Sequence, residues 1–251
     1  MNGQDLFGYC VALGDDALIL GQRIAEWVSN APSLEEELAL ANVALDHIGR
    51  ARMFYAHASA LAADGRDEDH FAFGRDCREF TNLLINELPR GDFAFTMTRQ
   101  FLIDAFNVPY LTALTASTDS GIAAIATKAV KESHYHLRRS RGWMLRLGDG
   151  TAESHTRAQS ALDALWGYTH ELFEPAAAEP ALVAAGVVPD RAGLKVCWCE
   201  DVGRALQQAT LECPDDTWRV GGGRAGVHTE HLGHLLAEMQ FMQRAYPGQH
   251  W

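Results

Sequence analysis

The chain lacks any run of about eighteen uncharged apolar residues, the least that a membrane-crossing helix requires. No helical span is expected. Its first residues, with Gln4 and Asp5 ahead of any hydrophobic stretch, lack the basic opening of a secretory signal, so a cytoplasmic location is expected. Positive charge is also scarce, with 21 Lys+Arg against 33 Asp+Glu and a formal net charge of −12. A surface of that sign repels nucleic acid and anionic lipid, and neither is expected as a partner. Cysteine is sparse and badly spaced for cross-linking: Cys10 and Cys77 stand alone, and Cys197 and Cys199 flank Trp198. That pattern excludes a disulfide framework and a zinc ribbon, and leaves the thiols as small apolar residues of a reducing compartment. Strand signals are missing as well, because no alternating apolar segment and no Asn-Gly turn between such segments occurs.

What remains is a helical apolar period along almost the whole chain, which predicts an all-α fold. The 251 residues suffice for one domain with a large core. We expect a core bundle over about 5–148 and additional C-terminal helices over about 153–246. The first helix is predicted from Asp5 to Val28, with Leu13, Leu20, Ile24 and Trp27 facing inward and Pro32 beyond its end. Ser33 and Glu36 predict a capping box for the second, from Leu34 to Ala63, whose inward stripe reads Leu38, Ala41, Leu45, Ile48, Arg52 and Tyr55. A third helix is predicted over Phe71 to Leu88. The fourth starts after Asp92 and runs toward Ser117, with Pro109 expected to kink or shorten it. The fifth spans Ser120 to Leu147 and stops at Gly148 and Gly150. Further helices are expected over Ser154–Phe173, between Pro175 and Gly186, over Asp190–Glu212 and over Thr229–Tyr246.

Acids fall on four of these helices: Asp15 or Asp16 on the first, Asp46 on the second, Asp104 on the fourth and Glu132 on the fifth. Roughly thirty residues separate the members of each pair, as two facing antiparallel hairpins would require. Di-iron carboxylate bundles hold their metals in this way, with single acids from two helices and Glu-x-x-His pairs from two others. Both half-motifs here lack the histidine. Asp46 is followed three residues later by Gly49, and Glu132 by Tyr135. Glycine offers no ligand, and a tyrosine is uncommon at such a site. A shifted register through Glu132 and His136 shares a helix face, whereas His47, next to Asp46, is turned about a hundred degrees from it. The reading is a set of vestigial ligand positions, Asp15, Asp16, Asp46, Gly49, Asp104, Glu132 and Tyr135, with no metal in this chain.

Several segments carry a resemblance together: Leu38 to Asp46; Lys128 to His136, followed by Arg141-Gly142-Trp143; Thr229 to Gly233 with Leu236 to Gln240; and the terminal Pro247-Gly248-Gln249-His250-Trp251. By these the chain resembles the family of ferritin-like C subunits of bacterial 1,2-phenylacetyl-CoA epoxidase, across essentially its whole length. The resemblance implies a structural component of a multicomponent monooxygenase of phenylacetate degradation. It implies pairing with a homologous catalytic A subunit that carries the di-iron centre and binds the CoA thioester. It also implies a reductase subunit with FAD and a 2Fe–2S cluster, and no cofactor in this chain. Gly49 and Tyr135 agree with that assignment. A metal-dependent oxygenase or hydrolase, or a ferritin-like homodimer with a binding role, are the alternatives.

Other motifs are weaker. His228, His231 and His234 recur at three-residue steps, a spacing that drifts about 120 degrees around a helix and so favours capping, ion pairing or partner contact over one shared ion. His134 and His136 read as core or interface hydrogen-bonding groups. Gly221-Gly222-Gly223-Arg224 follows no strand and lacks a P-loop ending, so it is expected to be a flexible connector. Lys128, Lys131, Arg138, Arg139, Arg141 and Arg146 form a basic cluster that reads either as a solvated face or as a docking patch for a partner protein or CoA phosphates. No serine or cysteine has the surroundings of a nucleophile. Trp251 is a candidate interface anchor.

Overall fold

A computed structural model of the chain describes residues 3–249. Among them every regular element is helical, in agreement with the apolar period. Helix α1 (Gly3–Ala25) buries Leu13, Leu20 and Ile24, with Trp27 closing its end and donating to the Thr96 hydroxyl at 3.0 Å. It packs lengthwise on α2 (Leu34–Ala62). Gly14 permits that approach, because a Cβ there would meet the Tyr55 ring. Two pieces between residues 68 and 87 follow, α3 (Glu68–Phe73) and α4 (Leu84–Glu87). Helix α5 (Phe93–Leu114) pairs with α6 (Ser120–Gly148) as α1 does with α2, and the two hairpins meet through α2 and α6. The ends are set by side chains: Asp92 accepts from Phe95 N at 2.8 Å and Asp119 from Ile122 N at 2.9 Å, each satisfying an orphan amide of a first turn. Pro109 lies inside α5, which continues to Leu114.

Two expectations for the second helix need revision. Ser33 does cap α2, but Glu36 does not complete the box, because its carboxylate instead takes Arg139 and the Trp143 indole N–H. Tyr55 is buried as expected, but most of the inward stripe is different. Leu40, Val43, Ala44, His47, Arg50, Phe54 and Ala58 are buried beside it, whereas Leu38 and Leu45 are 58% and 64% exposed and Arg52 is exposed. Two stripes fit the helical period on α2, and the tertiary partner chose the one containing His47 and Arg50.

The predicted third helix is three pieces: α3, a 3₁₀ turn at Cys77–Glu79, and α4. Between the last two the backbone leaves the helical path, since the amides of Thr81 and Leu83 donate to Asp15 (2.8 Å) and Asp16 (2.7 Å) of α1. A continuous helix would have turned those amides onto its own carbonyls. The C-terminal elements are α7 (Ala152–Leu165) with a following 3₁₀ stretch Trp166–Phe173, α8 (Glu179–Ala184), α9 (Lys195–Gln208), α10 (Glu230–Met239) and α11 (Phe241–Ala245). Helices α7 and α9 pack on α5 and α6, so Leu162, Leu165, Trp198 and Val202 extend one core rather than starting another. Fully burying aliphatic side chains of this size contributes about 1.5–3 kcal/mol each.

The glycine run is ordered. The amides of Gly222 and Gly223 donate to Glu171 Oε1 at 3.0 and 2.8 Å, and Leu84 N donates to its Oε2 at 2.7 Å. Gly222 sits at φ 124°, a conformation that favours glycine. The run expected to be a loose connector thus wraps a carboxylate of the chain itself. Cys10 is buried as expected, but Cys197, Cys199 and Cys213 are exposed. Trp251 lies outside the described residues.

Candidate functional site

The first-helix acids are held by internal partners. Asp15 is fully buried and accepts from Tyr55 Oη (2.6 Å), Thr81 N (2.8 Å), Thr81 Oγ1 (3.1 Å) and both terminal nitrogens of Arg75. Asp16 accepts from Leu83 N (2.7 Å), Asn86 Nδ2 (3.2 Å) and Arg224 Nη2 (2.5 Å). Their oxygens are occupied by these donors. The half-motif gaps are equally plain, since Gly49 has no side chain and Tyr135 is 41% exposed, with Arg138 stacked over its ring.

Asp46, Asp104 and Glu132 gather around Arg50, on which the charges of all three act, together with residues outside the half-motifs. On α2 the residue facing the seam is His47, neighbour of Asp46 and 1% exposed. On α6 it is His136, 2% exposed, and on α5 it is Asp104, 1% exposed. One ligand atom from each of His47, Asp104 and His136 lies within 4.8 Å of the other two. Asp46 Oδ2 accepts from His136 Nε2 at 2.9 Å, and Ser140 Oγ donates to Asp104 Oδ2 at 2.8 Å. Arg50, one turn along from His47, is buried and donates to Ser133 Oγ at 3.0 Å. In the sequence His47 lies on the stripe Leu40, Val43/Ala44, His47, Ala51, Phe54, one of the two on α2 that fit the helical period.

Electrostatics follow from burial. Burial first, then the charges of Arg50 and His136, hold the His47 imidazole well below its usual range. Burial pushes the Asp104 carboxyl up to about 6, against the opposing pull of His136, the Ser140 hydrogen bond and Arg50. Burial and the neighbouring Asp46 charge raise Glu132, with Arg50 and Lys128 opposing. A cavity of about 40 Å³ adjoins His47 and Arg50 and reaches Asp16, Asn86 and Arg224. It has room for water and none for a CoA thioester.

These residues do not fit a dinuclear carboxylate centre. Its histidine positions hold Gly49 and Tyr135, its first-helix acids bond to Arg75 and Arg224, and the Arg50 guanidinium, whose charge acts on Asp46, Asp104 and Glu132, stands among the acids that remain.

The basic cluster divides. Arg139 pairs with Glu36 and Arg141 with Asp201, both within the molecule, and Lys128 lies 3.8 Å from Glu132. Arg146 stacks on Trp143. Lys131 and Arg138 are exposed. The three histidines near the C-terminus disperse as expected: His228 precedes α10 and bonds Glu87 and the Phe80 carbonyl, each at 2.8 Å, while His234 is exposed. No helix among the described residues is long and apolar enough to cross a membrane.

Comparison with known proteins accords with this architecture. A curated relative, the C subunit of the 1,2-phenylacetyl-CoA epoxidase of Escherichia coli (strain K12), is 48% identical over 246 residues, covering 98% of this chain and 99% of its own length. The family model described as phenylacetic acid catabolic protein matches residues 1–251. With its helical bundle and these likenesses together, the chain belongs to the phenylacetic acid catabolic protein family.

Proposed function

We propose that this chain is a non-catalytic structural component of a cytoplasmic 1,2-phenylacetyl-CoA epoxidase in phenylacetate catabolism, and that it pairs with and stabilises the catalytic A subunit. The observation that carries this reading is the dismantled dinuclear set: Gly49 and Tyr135 at the histidine positions, with Asp15 and Asp16 taken by Arg75 and Arg224. The oxygen-activating di-iron centre then belongs to the catalytic partner, and FAD with the 2Fe–2S cluster to the reductase.

A candidate docking face supports the partnership. Leu34, Leu38 and Leu45 of α2 are 68%, 58% and 64% exposed, at spacings of four and seven residues that keep them on one outer stripe. Large apolar side chains repeated along one exposed helix face mark an interface rather than a solvated surface. On the neighbouring α6, exposed Tyr135 and Arg138 supply the aromatic and guanidinium groups enriched at such contacts. Co-expression with the catalytic partner tests the reading: the two are expected to co-purify and to restore epoxidation with the reductase. The double variant Leu38→Glu/Leu45→Glu is expected to keep its own stability within about 0.5 kcal/mol while losing the complex. Failure of the unaltered chains to co-purify refutes the proposal.

A further inference from the structure

We propose that His47, Asp104 and His136 bind one divalent first-row transition-metal cation of the zinc or iron(II) class, as a structural cross-link between the two hairpins. The site is mononuclear and shares only Asp104 with the positions that the dinuclear motif would use. It holds whether or not the chain is part of an epoxidase.

The ligand atoms are unsatisfied among the described residues. Both ring nitrogens of His47, Asp104 Oδ1 and His136 Nδ1 have no hydrogen-bond partner among the described residues, and all three side chains are at least nine-tenths buried. Buried polar atoms left unmet are costly. One ligand atom from each of the three side chains lies within 4.8 Å of the other two, so a single occupant can meet His47, Asp104 and His136 together through one atom of each. Two of the side chains are also oriented by partners behind them. His136 turns Nε2 to the Asp46 carboxylate, which leaves Nδ1 for a ligand, and Asp104 turns Oδ2 to Ser140, which leaves Oδ1. A carboxylate behind a histidine and a hydroxyl behind a carboxylate are the supports that metal ligands need to fix tautomer and direction.

Charge permits a cation: the carboxylates of Asp46, Asp104 and Glu132 surround the place, balanced by Arg50 and, from further out, by Lys128 and Arg139. Bonds of about 2.0–2.2 Å to nitrogen and oxygen require the ligand atoms to close by roughly an ångström, within reach of small side-chain rotations. The 40 Å³ cavity beside His47 has room for water but is not lined by Asp104 or His136. It is too small for substrate, so the cation ties α2, α5 and α6 together rather than performing chemistry.

The experiment uses the full chain, stripped with chelator and titrated with Co²⁺ and, separately, Zn²⁺. One equivalent of Co²⁺ per chain is expected, with visible d–d bands, a rise in Tm and displacement by Zn²⁺. His47→Gln and Asp104→Asn should weaken binding by about a hundredfold or more, and Asp46→Asn by about ten- to a hundredfold through the misaligned His136. His231→Gln and His234→Gln should change nothing. Asp46 is partly exposed, so Asp46→Asn stays informative should the buried variants fail to fold. Absence of stoichiometric binding, or binding that survives all three site variants, overturns the proposal and assigns the open atoms to water.

Discussion

Neutralising Asp15 separates a structural acid from a metal ligand. In Asp15→Asn the side chain keeps its shape, but the Arg75 guanidinium, 6% exposed, loses the carboxylate that its two terminal nitrogens grip. An amide nitrogen would also be set against donors, because Thr81 N, Thr81 Oγ1 and the Tyr55 hydroxyl all converge on the two oxygens. Removing one partner of a buried pair costs about 3–5 kcal/mol. Arg75 retains the Phe71 and Glu79 carbonyls at 2.7 and 2.9 Å and its stacking on Phe80, which places the expected loss in the lower part of that range. A loss of about 3 kcal/mol lowers Tm by roughly ten degrees in a chain of this size. Urea unfolding followed by far-ultraviolet circular dichroism should show a lower midpoint with an unchanged slope. Asp15→Asn/Arg75→Met should recover part of the loss, because no unpaired charge then remains buried. Metal content should be unaffected. A cost under about 1 kcal/mol, or strict additivity in the double variant, refutes the reasoning that Asp15 is an ion-pair anchor.

Three further outcomes follow from the same structure. His228 donates from both ring nitrogens to acceptors; burial pulls its pKa down, but the Glu87 hydrogen bond, the Phe80 carbonyl and the Glu87 charge outweigh it, and the net shift is upward from 6.5. Its contribution is therefore full below pH 6.5 and is lost as pH rises through the higher folded value; His228→Gln should flatten that part of a Tm-against-pH curve, and an unchanged curve would count against it. Burial, with the Asp119 charge, pushes the Cys10 thiol up to about 12, so a thiol reagent at neutral pH should modify Cys197, Cys199 and Cys213 in the native chain and reach Cys10 only after unfolding, a distinction that peptide mapping reads directly. Gly223→Ala should cost about 1–3 kcal/mol, because its Cβ would fall on the Asn82 carbonyl oxygen beside the Glu171 cradle; wild-type stability would show that the glycine run is loose after all.

The sequence by itself determined the fold class, four of the long helices and the lack of a side-chain ligand at Gly49. Those features are local. A 3.6-residue period, an Asp before a first turn, or a glycine where a ligand belongs can each be read without knowing what lies across the bundle. Leu13, Leu20, Ile24 and Trp27 are buried as the period requires, and Gly49 offers no ligand in any packing. The tertiary structure alone decided which face of α2 turns inward, because both of its stripes satisfy the period and only the approach of α1 and α6 selects Leu40, Val43 and His47 over Leu38 and Leu45. It alone broke the region Phe71–Leu88, where carboxylates distant in sequence took the backbone amides of Thr81 and Leu83. The His47–Asp104–His136 cluster has the same origin. Its members lie on three helices, and no spacing along the chain reports on atoms that meet only after two hairpins have packed.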